Sequence, residues 1–386
     1  MRIFRVLAAA ALLLAAVSGA AAQETMRLYV EEGTISGAEA DRLLGILEQE
    51  TDGAQWTLES GDRTLRELVL AGEEPDMAVC WAKTARPWAQ EGLLLPLQTH
   101  IPDQKQMQRQ ALNLCIYSEE MFMAPLIARH RQMAVNRAAF ERIGLSDMLN
   151  GQTYPVWYPA QFYRILEEFM IRGRHGVDVW QAEESSSAAI ETLVQALGGR
   201  DLLDHDGYSC HAGDDAAVFG VQWIADAVRD EMIGWQRTRE EALSRFLRGE
   251  TAIFIDWMQE TEERCRQTIR EKGLDIVTVP YPSALGRPVR SFELTGVCAF
   301  ASGDAVRDAQ LQHVCARLYA SAQDVLGPMG IWQDGARWPE SLEESGAGTT
   351  LRSLLCEAFN AAVETGEAKR ALLGVQAVMD ALFSAQ

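Results

Sequence analysis

Phe246-Leu247-Arg248-Gly249-Glu250-Thr251-Ala252-Ile253-Phe254-Ile255-Asp256-Trp257 is the stretch whose reading decides the fold. Its first residues close an amphipathic helix. Gly249 stands where a left-handed cap is wanted, and the apolar, β-branched run behind it reads as a short buried strand. A strand entered from a helix in this way belongs to an α/β sheet. In such sheets the carboxyl end of the strand faces the crevice that binds ligands. The residue at that end is Trp257.

The same alternation runs outward in both directions. Met26 to Val30 predicts a strand, followed by a Gly33-containing loop and a helix from about Ala38 to Thr51. A strand over Gln55 to Leu58, a helix near Arg63 to Ala71, a buried strand over Met77 to Trp81 and a helix over Ala85 to Glu91 continue it. This spacing implies a mostly parallel sheet with helices on both faces. Phe122 to Ile127 and Gln132 to Asn136 predict an extended crossover interrupted at Pro125, because proline demotes a strand to an edge. Pro159 to Ile171 gathers Phe162, Ile165, Leu166, Phe169 and Met170 on one helical face. Helices over Ser187 to Leu197, Asp214 to Glu231 and Glu240 to Leu247 follow. Strands over Leu274 to Val279 and Gly296 to Ala301 come next, then helices over Val306 to Ala322, Thr350 to Thr365 and Lys369 to Phe383.

Composition narrows the function. The 386-residue chain is 48% hydrophobic and 23% charged, too long for one ordinary core, so two lobes are expected. A formal charge of −20 argues against nucleic acid or anionic lipid as partner. Residues 1–22 read as a cleaved secretory signal, with basic Arg2 and Arg5, an apolar core over Leu7 to Val17 and a small-residue site at Ala20-Ala21-Ala22. A free periplasmic protein is the expectation. The seven cysteines form an odd set without a CxxC pair, and most lie in apolar runs as small buried side chains. Cys298 with Cys315 is the one bridge worth testing, since a strand and the next helix carry them.

Several fragments, in this order, resemble the family 1 extracellular solute-binding proteins, the group that contains maltose-binding protein. Phe246 to Ile253 is similar to their F-x-x-G-[KE]-[AT]-A-[MI] signature. Gly72-Glu73-Glu74-Pro75-Asp76 resembles the turn before their third strand, Trp81-Ala82 a cleft-lining W-A pair, and Gly92-Leu93-Leu94-Leu95-Pro96-Leu97 their G-L-L-x-P-L segment. Asn136-Arg137-Ala138-Ala139-Phe140 looks like the end of the first crossover, with Val135 in place of tyrosine, and Gly198-Gly199 matches a double glycine. The family's Gly-Pro-Trp strand tip is here Asp256-Trp257.

The resemblance implies a two-lobed periplasmic binding protein fold (type II), each lobe an α/β sheet flanked by helices. The N-terminal lobe would take residues 23–128 and 281–326, and the C-terminal lobe 129–280 and 327–386. A three-segment hinge would lie near 127–132, 279–282 and 325–331. It further implies a monomer that captures a small solute between the lobes and delivers it to an inner-membrane ABC permease.

Ten tryptophans bear on the solute. Sugars pack C–H faces on flat rings and need charged or amide partners for their hydroxyls. Trp81 and Trp257 at strand ends, with Trp235 and Trp332, are the expected platforms, whereas Trp56, Trp88 and Trp223 lie in core-like runs. Glu32, Arg86, Arg129, Glu183, Arg290 and Glu293 are the expected polar ligands from nearby loops, where charged partners give short bonds to hydroxyls. No cofactor and no metal are expected. Asp204-His205-Asp206-Gly207 begins like a calcium loop but lacks the remaining ligands, and a hairpin turn explains it. No Gly-x-Ser-x-Gly, phosphate-loop or His-Glu-x-x-His motif points to an enzyme. A carbohydrate is the expected solute. A cationic solute such as a polyamine or metal complex, favoured by Glu31, Glu32, Glu183 and Glu184, is the alternative, and a secreted glycoside hydrolase is the third reading.

Overall fold

The computed structural model describes residues 25–51, 54–61, 63–149, 156–183, 186–203, 209–327, 330–331 and 346–384. The leader over 1–22, Trp332, Glu184 and the Asp204-His205-Asp206-Gly207 turn lie outside the described residues.

In chain order the elements are β1 (Thr25–Val30), α1 (Gly37–Glu50), β2 (Gln55–Glu59), α2 (Leu65–Leu70), β3 (Met77–Trp81), α3 (Ala82–Gln90), α4 (Arg109–Cys115), β4 (Ile116–Tyr117), β5 (Glu120–Met121) and β6 (Ala124–Asn136). Next come α5 (Arg137–Arg142), α6 (Pro159–Met170), β7 (Val177–Trp180), α7 (Ala188–Gly198), α8 (Asp215–Arg229), β8 (Ile233–Gln236), α9 (Arg239–Leu247) and β9 (Ile253–Trp257). The remaining elements are α10 (Gln259–Lys272), β10 (Ile276–Val279), β11 (Ser291–Ala299), α11 (Ala305–Leu326), α12 (Gly346–Thr365) and α13 (Ala368–Ser384).

Local chemistry sets several of these limits. Ser36 and Thr64 each open a helix with a reciprocal capping box, closed by Glu39 and Glu67, which satisfies two orphan donors apiece. Gly249 takes φ +73° between α9 and β9, a conformation that costs any other residue strain.

The chain divides into two compact α/β units. The first takes the chain up to Lys105, Cys115–Ile127, and Leu294 through α11. Its sheet has the order β2-β1-β3-β11, with β1 parallel to both neighbours and β11 antiparallel to β3. The second takes Gln106–Leu114, Ala128–Glu293 and Gly330 onward. There β7 runs parallel to β8 and β9, while β6 runs antiparallel to β9 and β10. Its core includes a ladder of rings, Phe140–Trp157–Phe162–Trp223, with successive centroids 6.0, 5.9 and 5.5 Å apart and near-parallel planes.

Two features differ from the sequence expectation. Pro125 does not interrupt the first crossover. β6 is a single 13-residue strand, and Pro125 is only its second residue, where a missing N–H is tolerated. The chain returns from the second unit to the first at Glu293–Leu294, inside β11, and not at the prolines near 280. All seven cysteines are free and buried, so Cys298 and Cys315 are not bridged. Cys298 Sγ instead lies 4.0 Å from Cys80 Sγ.

Candidate functional site

In the first unit, β1 and β3 run side by side, β1 ending at Val30 opposite Val79 and β3 running on to Trp81. Glu31 follows β1, and its carboxylate spans the start of α3. It accepts from the Trp81 backbone N–H and the Thr84 hydroxyl, both at 2.9 Å. A carboxylate at a helix N-terminus is favourably placed against the helix dipole. Burial nevertheless pushes the Glu31 carboxyl above its ordinary value, and the Trp81 N–H, the Thr84 hydroxyl and Lys83 only partly offset this. The loop then turns at Gly33, whose missing side chain would lie 3.9 Å from Cζ2 of the Trp81 ring. Trp81 is half-buried, and its cross-strand partner in β11 is Thr295, a fully buried residue whose hydroxyl makes no hydrogen bond. Glu32 is exposed beside this group, and Arg86 is half-buried one turn into α3.

The raised Glu31 carboxyl has a testable sign. A carboxyl whose folded value exceeds its unfolded one costs stability while ionised and relieves that cost as pH falls from the raised value toward the ordinary one. Glu31→Gln is therefore expected to remove this gain. Urea midpoints between pH 7 and pH 4.5 should rise less steeply toward acid in the variant than in the parent protein. Identical pH profiles would show that the carboxyl is not strained.

In the second unit the site is built on β6 and β9. Arg129 and Arg131, two residues apart on one face of β6, are both buried, so each needs a carboxylate. Arg129 pairs with Glu260 in the first turn of α10, at 2.7 Å. Arg131 donates Nε to Asp256 at 2.5 Å and Nη2 to Glu293 at 2.8 Å. Asp256 also pairs with Arg239 at the start of α9, whose guanidinium sits 5.4 Å over the Phe254 ring and donates to Thr261 at 3.2 Å. Burial would raise the Asp256 carboxyl, but Arg131 and Arg239 outweigh it and hold the group below its ordinary value. Behind this network the Tyr281 hydroxyl donates to the Ile255 carbonyl at 2.5 Å.

Trp257 requires a correction. Expected to offer its ring face at the strand tip, it is only 2% exposed and packs edge-on against Phe246 and Phe254, with centroids at 5.9 and 6.4 Å. The cause is a bulge. Gln132 pairs with Trp257 and Ala134 with Phe254, so β9 carries one residue more than β6 across this interval. One inserted residue moves everything beyond it to the opposite face of the sheet. Trp257 thereby joins Phe254 on the core side.

The other expected residues fall as follows. Arg129 and Glu293 are part of the second unit's ion-pair network, and Arg290 is buried near it in sequence. Glu183 is exposed after β7. Trp235 is half-buried in β8, with its ring centroid 5.9 Å from that of Phe359. Arg131, Gln132, Asp256, Arg239 and Thr295 were not singled out as site residues by sequence. Arg129 and Arg131, alternating within a strand whose two ends are mostly apolar, were the available signal for a buried network. Among the described residues, no group of three or more His, Cys, Asp or Glu side chains is placed to hold a metal. No described helix is long and apolar enough to cross a membrane.

No protein-family model matches the sequence, and no curated protein is significantly similar to it. Solved structures share its fold over nearly the whole chain. A cyclic α-maltosyl-1,6-maltose binding protein from Arthrobacter globiformis is 14% identical, with a TM-score of 0.74 and coverage of 94% of this chain and 99% of that one. The sugar-binding protein MalE from Xanthomonas citri is 13% identical with a TM-score of 0.72, covering 94% and 98%. UgpB from Mycobacterium tuberculosis, in complex with glycerophosphocholine, is 13% identical with a TM-score of 0.70, covering 94% and 99%. The fold is that of these binding proteins, as the sequence resemblance implies.

Proposed function

We propose that this chain is the extracytoplasmic solute-binding component of an ABC import system and that its solute is a carbohydrate. The observation that carries the reading is the whole-length likeness of fold to binding proteins, two of the three above named for the sugars they take. The leader-like residues 1–22 support export to the periplasm, where the loaded protein would meet an inner-membrane permease. Trp81, with Glu32 and Arg86, offers the first unit's contribution: a half-open ring for C–H faces and charged partners for hydroxyls. Binding without turnover is the expected behaviour, since catalysis is not what these folds are named for.

One observation favours a second reading. The chain is strongly acidic, and Glu31 and Glu32 stand close to Trp81. A cationic solute would bind with affinity falling steeply as salt is added, and a neutral sugar would not. Thermal-shift screening of sugars against polyamines separates the two. Trp81→Ala is expected to raise the dissociation constant of the bound sugar about tenfold or more, about 1.4 kcal/mol. Calorimetry giving an unchanged constant would remove Trp81 from the site.

A further inference from the structure

β3 and β11 join two chain segments of the first unit that are separated in sequence by Ala128–Glu293 of the second. In that antiparallel pair Cys80 stands opposite Gly296 and Cys298 opposite Ala78. Residues directly opposite share a face of the sheet, and so do alternate residues of one strand, so all four positions lie on one face. The cysteines occupy one diagonal of this square, and the two smallest residue types, alanine and glycine, occupy the other. Neither thiol therefore meets a bulky side chain directly across the strands. The two sulfurs come together at 4.0 Å, and both residues are fully buried. Met123 lies over Gly296, where a Cβ would sit 2.4 Å from its Cγ, and methionine is flexible enough to yield.

The folded pair is chemically quiet. The hydrogen bond with Cys298, and then burial, hold the Cys80 thiol well above its ordinary value, and a thiol must ionise to attack a disulfide. Oxidation therefore belongs to folding, while an oxidant still reaches the pair. An exported chain folds in a compartment that holds such oxidants.

We propose that Cys80 and Cys298 are a disulfide site, bridged as the exported chain folds, and that the bridge staples the two segments of the first unit together. It rests on the export reading above, which supplies the oxidant: a dithiol–disulfide oxidoreductase or a small-molecule disulfide. One cysteine thiolate attacks a sulfur of the oxidant's disulfide, forming a mixed disulfide and releasing one oxidant thiol. The second cysteine thiolate attacks the cysteine sulfur of that mixed disulfide, forming the Cys80–Cys298 bond and releasing the other oxidant thiol. Both cysteine protons go to the departing sulfurs, and two electrons pass from the cysteines to the oxidant. Bond formation draws the sulfurs in from 4.0 Å to about 2.05 Å, toward the centre of the square. The two positions are 218 residues apart, and closing so long a loop takes much freedom from the unfolded chain.

The mature protein, unfolded in guanidinium chloride with reductant and refolded in mixed reduced and oxidised glutathione, tests this. Alkylation under denaturing conditions is expected to find two thiols fewer than the seven of the reduced chain. Peptide mapping is expected to join the Cys80 and Cys298 segments, and the bridged protein to melt about 5 °C above protein refolded under reductant. Cys80→Ala and Cys298→Ala should each leave every remaining thiol free and melt alike in both conditions. A full set of thiols after oxidative refolding, a link through Cys315 or any other cysteine, or a bridged form that melts no higher than the reduced one overturns the proposal. Protein that bridges on refolding yet is recovered reduced from its own cells upholds the bridge and defeats the export reading.

Discussion

Asp256→Ala is expected to lower the stability of the second unit by about 3 kcal/mol, because it takes a carboxylate from buried Arg131 and half-buried Arg239 at once. Arg131 donates to the carboxylate at 2.5 Å, to Glu293 at 2.8 Å and to Ser291 at 3.4 Å. Arg239 pairs with the other carboxylate oxygen and with the backbone carbonyl of the same residue. Neither guanidinium can shed its charge at any accessible pH, so the loss is not relieved by titration. Urea unfolding at pH 7 measures the effect, and Asp256→Asn, which keeps one acceptor, should fall between parent and alanine variant. The same carboxylate contributes to acid sensitivity. Its folded value lies below the ordinary 3.8, so its contribution is present above that value and is lost as pH falls through the depressed one. The alanine variant should lose this part of the acid transition. A change of less than about 1 kcal/mol at pH 7 would show that the arginines are hydrated and that the network is not buried in solution.

Gly198→Ala is expected to cost about 3 kcal/mol, the upper end of what overpacking does. A methyl at Gly198 would sit 2.2 Å from the Ala216 carbonyl oxygen, and one at Gly220 would sit 2.5 Å from the Val194 carbonyl oxygen. α7 and α8 therefore meet backbone to backbone at two reciprocal glycines, and neither obstacle is a side chain that could rotate away. Gly220→Ala should cost a similar amount. The double variant should cost less than the sum, because helices parted by one methyl already make room for the other. Gly374→Ala in α13, where a methyl meets nothing within 4 Å, is the control and should be neutral or slightly stabilising. A Gly198→Ala melting temperature equal to that of the control would mean the two helices do not pack this closely.

Much of this fold was legible because its periodicity is strong. β3 occupies the span that five apolar residues predict, and the glycine after α9 marks the turn into β9. The elements that escaped lack such a signal. α10 buries only Thr261 and Cys265, so no apolar stripe announces it. β7 and β8 are four residues long, with Asp178 and Gly234 inside them, both poor strand formers. The site was read less well than the fold, for a geometric reason. Trp81 ends its strand half-buried with Glu31 accepting from its backbone N–H, whereas Trp257, also at a strand end, is buried. A single inserted residue in β9 reversed its face, and nothing in Ile253-Phe254-Ile255-Asp256-Trp257 marks where the bulge falls. The arginine network was likewise hidden, because Arg131, Arg239 and Asp256 are far apart in the chain.

Titration calorimetry of the mature protein against a panel of mono- and oligosaccharides, with spermidine and putrescine as cationic controls, tests the central claim most directly. A neutral sugar that saturates one site per chain, with affinity insensitive to added salt and no product released, is the predicted result. Silence toward every sugar, together with salt-sensitive binding of a polyamine, would contradict it.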